Sequence, residues 1–264
     1  MQKLKSFGQH FLRNDHIARR IVEQLQIDEQ TGGTVVEIGP GEGVLTQHLL
    51  ERPDIAQFFA VELDRRLPEI LMARYPRLEN CIINEDVLRV AFERFAGDRF
   101  SVIGNFPYNI STQILFKILD YRTHVPQMVG MFQREVAQRI AAPPGGKDYG
   151  VTSVLLQAYY QTKYCFTVEA GNFDPPPKVQ SGVIRLRRSH AHDATIKHHE
   201  HLRSVVKSAF GQRRKMLRNA LQSLPIDDTQ LPTNIWTKRA EQLSVAEFIA
   251  IANAWQPTQG MLGE

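Results

Sequence analysis

Apolar residues in the first half of the chain come in short β-branched runs. Each run is followed by a polar or glycine-rich break, and then by apolar residues at helical spacing. Val35 to Ile38 is the first, and it ends in Gly39-Pro40-Gly41-Glu42-Gly43. Val44, Leu45, His48, Leu49 and Leu50 follow on one helical face, so the segment predicts strand, tight turn and helix. Phe58 to Val61 repeats the pattern and ends in Glu62-Leu63-Asp64; Cys81 to Asn84 ends in Glu85-Asp86. Phe100 to Ile103 runs into Gly104-Asn105-Phe106-Pro107-Tyr108, and Pro126 to Phe132 makes a fifth run. Helical segments at 67–74, 114–119 and 133–141 lie among them. Strands alternating with helices predict an α/β fold, a parallel sheet with helices on both faces.

The second half changes character. Ala142 to Gly146 is a Pro/Gly surface loop, residues 151–160 read as a helix, and 163–169 and 183–187 as two last strands. These complete an expected first domain at 1–188. Residues 189–201 are polar and carry His190, His192, His198, His199 and His201. They have no Cys partners and no standard zinc spacing, so they read as an interdomain linker. Helical periodicity resumes at 201–223 and 245–255, and residues 202–264 are expected to form a small all-α domain.

Composition narrows the partner. The formal net charge is only +4, but from Arg185 to Arg218 ten basic side chains face two acidic ones in 34 residues. A local excess of that size predicts a polyanion. Cys81 and Cys165 are too few for a disulfide framework or zinc site and fit small core residues in a reducing compartment. No apolar run approaches the ~18 residues that a membrane span needs, and the first 25 residues show no secretory pattern. A cytoplasmic protein with no membrane partner is therefore expected.

The candidate chemistry sits at the strand ends, which is where an open α/β sheet binds ligands. Gly39 and Gly41 let a ligand approach the backbone, but their spacing is not the G-x-G-x-x-G of a dinucleotide site. Glu62, nineteen residues after Gly43, is placed to accept from two ribose hydroxyls, and Asp86 from an exocyclic adenine amine. Asn105 ends the fourth strand. Four such positions along one rim suit a nucleoside without a phosphate, such as S-adenosylmethionine. An amide beside Pro107-Tyr108 suits a grip on a flat, amine-bearing group.

Four segments then carry a resemblance: Lys5-Ser6-Phe7-Gly8-Gln9-His10-Phe11-Leu12, Val36-Glu37-Ile38-Gly39-Pro40-Gly41, Asn105-Phe106-Pro107-Tyr108-Asn109-Ile110-Ser111 and Phe173-Asp174-Pro175-Pro176-Pro177-Lys178-Val179. Together they resemble the rRNA adenine dimethyltransferases. Ala209-Phe210-Gly211-Gln212-Arg213-Arg214-Lys215 and Leu217-Arg218-Asn219 are similar to the bacterial branch acting on two adjacent adenines near the 3′ end of 16S rRNA. The likeness runs from about Lys5 to Asn253. It implies a Rossmann-like class I S-adenosylmethionine-dependent methyltransferase sheet with a smaller helical C-terminal domain. It also implies a substrate within the 30S particle. A monomer is expected, and transfer driven by a sulfonium needs no metal.

By that resemblance His10, Leu12, Gly39, Gly41, Glu62, Asp86 and Asn105 hold the cofactor; the family also uses Asn where His10 stands. Asn105, Phe106, Pro107, Tyr108 and Phe173 serve catalysis. The Asn105 side-chain oxygen and a carbonyl at Phe106 or Pro107 would accept from adenine N6–H, while Tyr108 and Phe173 would sandwich the base. Phe106 replaces a more usual Leu, which is expected to alter packing rather than chemistry. Arg213, Arg214, Lys215 and Arg218, on an expected helix, would bind RNA. Three alternatives stand beside this reading. One is an amine methyltransferase acting on DNA adenine or a protein glutamine, which the terminal motifs do not fit. Another is the macrolide-resistance enzyme acting on 23S rRNA, against which residues 212–215 argue. The third is an assembly factor whose binding is what matters, a role compatible with methylation.

Overall fold

The structure, a computed structural model, describes residues 10–27, 33–229 and 231–256. The Lys5 to Gln9 part of the N-terminal motif lies outside them. In chain order the elements are β1 (Phe11–Leu12), α1 (Asp15–Val22), β2 (Thr34–Ile38), α2 (Thr46–Leu50), β3 (Gln57–Val61), α3 (Leu67–Arg74), β4 (Ile82–Ile83), β5 (Ser101–Asn105), α4 (Ser111–Asp120), β6 (Gln127–Gln133) and α5 (Arg134–Ala141). Then come α6 (Val151–Gln157), β7 (Tyr160–Val168), β8 (Phe173–Asp174), β9 (Ser181–Arg188), α7 (His199–Gly211), α8 (Leu217–Ala220) and α9 (Val245–Asn253).

Two compact units divide the chain: residues up to Ala137 with Thr162–Arg188, and Gln138–Gln161 with residues from Ser189 on. The division differs from the expected boundary at 188, because α6 counts with the helical unit. The first unit holds a seven-stranded sheet in the order β4-β3-β2-β5-β6-β9-β7. From β4 to β6 the pairs are parallel. β9 runs antiparallel to β6, from Gln127↔Arg187 to Gln133↔Ser181, so the sheet is mixed rather than wholly parallel. Every residue of the central strand β2 is buried, which suits a sheet covered on both faces. The order reverses between β2 and β5, and that switch point opens a crevice at the strand ends.

One core joins Ala18, Ile21, Val22 and Leu25 from α1 and the residues after it to Val35, Ile103, Val129, Met131 and Val183 on the sheet. α1 starts where the Asn14 side chain accepts from the Ile17 N–H at 3.2 Å, a cap that satisfies one of the helix's open donors. A small second sheet pairs β1 with β8, Phe11↔Asp174 and Leu12↔Phe173. The sequence does not predict it, since two-residue strands leave no periodicity to read.

The second unit packs α7 through Leu202, Val205, Val206 and Ala209, and α9 through Phe248, Ile249, Ile251 and Ala252. The expected linker at 189–201 is largely exposed, as a solvated linker should be, and is tied down at Thr195 and Lys197. Asn253 accepts from the Lys197 N–H at 3.1 Å and donates to the Thr195 carbonyl at 2.6 Å, and the last three linker residues begin α7. Its histidines pack locally: His199 Nδ1 lies 2.6 Å from the Tyr159 hydroxyl, and His201 stacks on Trp255. The expected helix at 201–223 is broken at Gln212, whose φ of −120° and ψ of 43° leave the helical region.

Candidate functional site

A cleft of about 190 Å³ opens at the switch point, lined by His10, Leu12, Gly39, Gly41, Glu62, Asp86, Asn105, Tyr108 and neighbours. Each wall comes from the end of a different strand. After β2 the chain turns tightly, with the Gly43 N–H donating to the Pro40 carbonyl at 2.9 Å. Gly39 and Gly41 have φ of 67° and 59°, the left-handed region that a side chain disfavours. At Gly41 a Cβ would also lie 3.0 Å from the Phe11 ring. Gly41 is therefore favoured as glycine for two separate reasons, and Gly39 for the first alone.

Glu62 follows β3 and is buried, with 7% of its surface exposed. Its carboxylate accepts from the Gly41 N–H at 3.3 Å and the Asp64 N–H at 2.9 Å. Asn84 donates to the Glu62 carbonyl at 2.7 Å and braces it from the neighbouring strand. Burial pushes the Glu62 carboxyl above its ordinary 4.5, although the backbone donors pull the other way. Asp86, after β4, caps the next turn by accepting from the Leu88 N–H at 2.9 Å. Beneath the loop Glu37, 1% exposed, accepts from the Thr46 hydroxyl at 2.7 Å. Burial pushes its carboxyl up to about 8.

Asn105 is the last residue of β5. Its side-chain N–H donates to the His10 carbonyl at 2.9 Å, which aims the amide and leaves the Oδ1 edge for a ligand. His10 in turn donates from Nδ1 to the Pro175 carbonyl at 2.7 Å, so three motifs far apart in sequence meet at this residue. Phe106 is fully buried, and the explanation lies in two glycines facing each other on β5 and β6. A Cβ at Gly104 or Gly130 would come within 2.6 or 2.4 Å of the Phe106 ring. The pair forms the slot that admits an aromatic ring where a smaller side chain would otherwise fit.

Phe173 is 4% exposed, sits opposite Leu12 in the β1–β8 pair, packs in the core and does not line the cleft.

The comparisons with known proteins decide what such a cleft belongs to. A sequence profile of the ribosomal RNA adenine dimethylase family matches residues 1–256. The chain belongs to that family. It is 48% identical over 256 residues to a ribosomal RNA small subunit methyltransferase A of Cytophaga hutchinsonii, covering 96% of this chain and 98% of the relative. The enzyme of the same name in Porphyromonas gingivalis is 49% identical over 250 residues, 94% and 95% of the two chains. Among solved structures, a dimethyladenosine transferase from Plasmodium falciparum aligns with a TM-score of 0.76 at 22% identity, over 92% of this chain and 96% of that one. The 23S rRNA methyltransferase ErmE aligns at 0.67 and 24%, over 92% and 99%. At such identities both bear on the fold alone, and both agree with it.

The dimethylase's predicted RNA-binding residues lie in its helical unit, in the turn between α7 and α8 and on α8 itself. Arg214, Lys215 and Arg218 are exposed. Arg213 is engaged differently: it donates to the Gly146 carbonyl at 3.1 Å, lies 3.6 Å from the Glu241 carboxylate and sits over the Phe210 ring. Among the described residues, no group of three or more His, Cys, Asp or Glu side chains is arranged for a metal. None of their helices is long and apolar enough to cross a membrane. Sequence reasoning gave no role to Asn84, just past β4, or to Glu37, inside β2; each adjoins a strand ending that was noticed, which was the available signal.

Proposed function

We propose that the chain transfers methyl groups from S-adenosylmethionine to N6 of two adjacent adenines near the 3′ end of 16S rRNA. The observation that carries this reading is the aimed Asn105 amide at the switch-point cleft, its N–H taken by the His10 carbonyl. The residues fit the cofactor. Gly39 and Gly41 supply a loop without side chains, Glu62 a buried carboxylate for the ribose hydroxyls, and Asp86 an acceptor for the adenine amine. When bound, the sulfonium supplies an electrophilic methyl group.

The remaining chemistry belongs to the chain. Adenine N6 is a poor nucleophile because its lone pair is delocalised into the ring. Asn105 Oδ1 and a carbonyl at Phe106 or Pro107 accept from N6–H and favour a pyramidal nitrogen whose lone pair faces the donor. No strong base is required, and alignment of the reactants supplies several kcal/mol, up to roughly 7–11 when ideal. Tyr108 is the stacking wall for an extruded base, an interaction worth about 1–3 kcal/mol. Phe173 pairs through its backbone with Leu12, which lines the cleft. Arg214, Lys215 and Arg218 grip phosphates.

The relatives named as small-subunit enzymes favour 16S over 23S rRNA as the substrate. A monomer acting in the cytoplasm on the 30S particle, with a further role as a checkpoint in small-subunit assembly, completes the proposal. Incubating under-methylated 30S and 50S particles with labelled S-adenosylmethionine, then mapping the label, tests it. Dimethyladenine at two adjacent 16S positions is expected; label confined to 23S rRNA overturns the reading.

A further inference from the structure

Tyr108 leaves the turn after β5 with both ends of its side chain in contact. One contact is the His10 ring, whose centroid is 5.4 Å away at a tilt of 33°. The other is at the hydroxyl, 2.5 Å from Ser181 Oγ. Ser181 opens β9, is 0% exposed and does not line the cleft. It reaches the site only through Tyr108.

Both partners hang on the same strand. The Phe106 N–H donates to the Met131 carbonyl on β6 at 3.3 Å, and Ser181 pairs with Gln133 two residues further along. The Arg134 N–H closes the ladder on the Gln180 carbonyl at 2.9 Å. At the next residue, Gly182, a Cβ would stand 2.7 Å from Ala137 and 2.9 Å from the Tyr164 ring. The strand that presents the Ser181 hydroxyl thus lies close against Ala137 and Tyr164, and Ser181 is held in the ladder. The Tyr108 hydroxyl meets a buried hydroxyl on that strand.

We propose that Ser181 is a positioning residue for the methyl transfer: its hydroxyl holds the Tyr108 ring in the plane against which the target adenine stacks. The inference rests on the reading of Tyr108 as the stacking wall. Extrusion of the base follows docking of the particle, so loosening the ring lowers the fraction of docked complexes with the adenine in place. That loss belongs in kcat. The KM for 30S particles is set by the phosphate contacts of Arg214, Lys215 and Arg218, and cofactor affinity by the glycine loop and Glu62.

The test compares full-length wild type with Ser181→Ala, Tyr108→Phe, the double variant and Tyr108→Ala on under-methylated 30S particles. Cofactor affinity is measured alongside by calorimetry. One neutral hydrogen bond corresponds to about a two- to tenfold change. Ser181→Ala is expected to lower kcat by that factor, with KM for 30S and cofactor affinity held within about twofold. Tyr108→Phe removes the same bond from the other side, so the test survives if Ser181→Ala does not fold. The double variant should be no slower than the slower single one, because neither hydroxyl is then left unpaired. A parallel fall in kcat and cofactor affinity, or additive losses in the double variant, would reduce Ser181 to a structural residue and overturn the proposal. So would a normal kcat in both single variants while Tyr108→Ala is impaired. If Tyr108→Ala is itself unimpaired, the stacking wall has been misassigned, and the proposal falls with it.

Discussion

Replacing Glu37 with Gln should stabilise the fold, and by an amount that depends on pH in a defined way. Glu37 lies in the central strand with 1% of its surface exposed. Burial is the dominant influence on it; the Thr46 hydroxyl opposes that influence and the nearby Glu62 carboxylate adds to it, leaving the carboxyl at about 8. Below pH 4.5 the group is protonated in folded and unfolded chains alike. Between 4.5 and about 8 the unfolded chain releases the proton while the folded chain keeps it, so the folded state binds more protons and stability falls as pH rises. Above about 8 both states are ionised and the full cost is present. The distance from 4.5 to about 8 corresponds to roughly 5 kcal/mol at about 1.4 kcal/mol per pH unit, a ceiling for what ionisation costs here. Glutamine keeps an acceptor for the Thr46 hydroxyl, has nearly the same shape and cannot ionise. Urea unfolding of Glu37→Gln and wild type at intervals from pH 5 to 9 reads the difference directly, because every other titrating group is common to both. The variant's advantage should be small at pH 5, grow steadily and level off above pH 8 at several kcal/mol. A difference that stays constant, or shrinks, over that range would refute the account of a buried carboxyl kept protonated by desolvation.

Three further outcomes follow from the site. Glu62→Gln should weaken cofactor binding roughly a hundredfold by removing charge-assisted hydrogen bonds. In the wild type, calorimetric affinity should fall on acidification as the raised Glu62 carboxyl takes up a proton, whereas the variant should be flat; the same raised value makes its contribution to fold stability decline as pH rises. Phe106→Leu should cost about 1–2 kcal/mol in chemical unfolding yet leave methyl transfer intact, and Gly130→Ala, whose Cβ would meet that ring at 2.4 Å, should cost about 1–3 kcal/mol, part of it recovered beside Phe106→Leu. Neutralising Arg214, Lys215 and Arg218 should flatten the salt dependence of 30S binding by about 0.7–0.9 for each phosphate left without its cation, while Arg213→Ala should chiefly lower the unfolding midpoint.

The rim of the site was legible because its chemistry follows strand by strand. A glycine loop, a Glu, an Asp and an Asn each close an apolar run, and a parallel sheet brings such endings to one edge whatever the loops between them do. Asn105 illustrates how far this reaches. Its place at a strand end could be read, and β5 extends to include it, but the His10 carbonyl that aims its amide lies 95 residues away. Periodicity carries no information about that pairing.

Where the structure departs from a local pattern, a distant partner overrules it. Residues 189–201 stay largely exposed, but Asn253 clamps them at Thr195 and Lys197; the basic run after Gly211 looks helical, yet Gln212 turns out of the helix and Arg213 ties to Gly146 and Glu241. The burial of Phe173 follows from pairing with Leu12 in a two-residue ladder that no window of sequence contains. Ser181 is the converse, a small residue with no pattern of its own that gains importance from the single hydroxyl it faces. Residues that touch a ligand can be found from strand ends. Residues that aim them are fixed by pairings across the fold: Asn105 with His10, His10 with Pro175, and Tyr108 with Ser181.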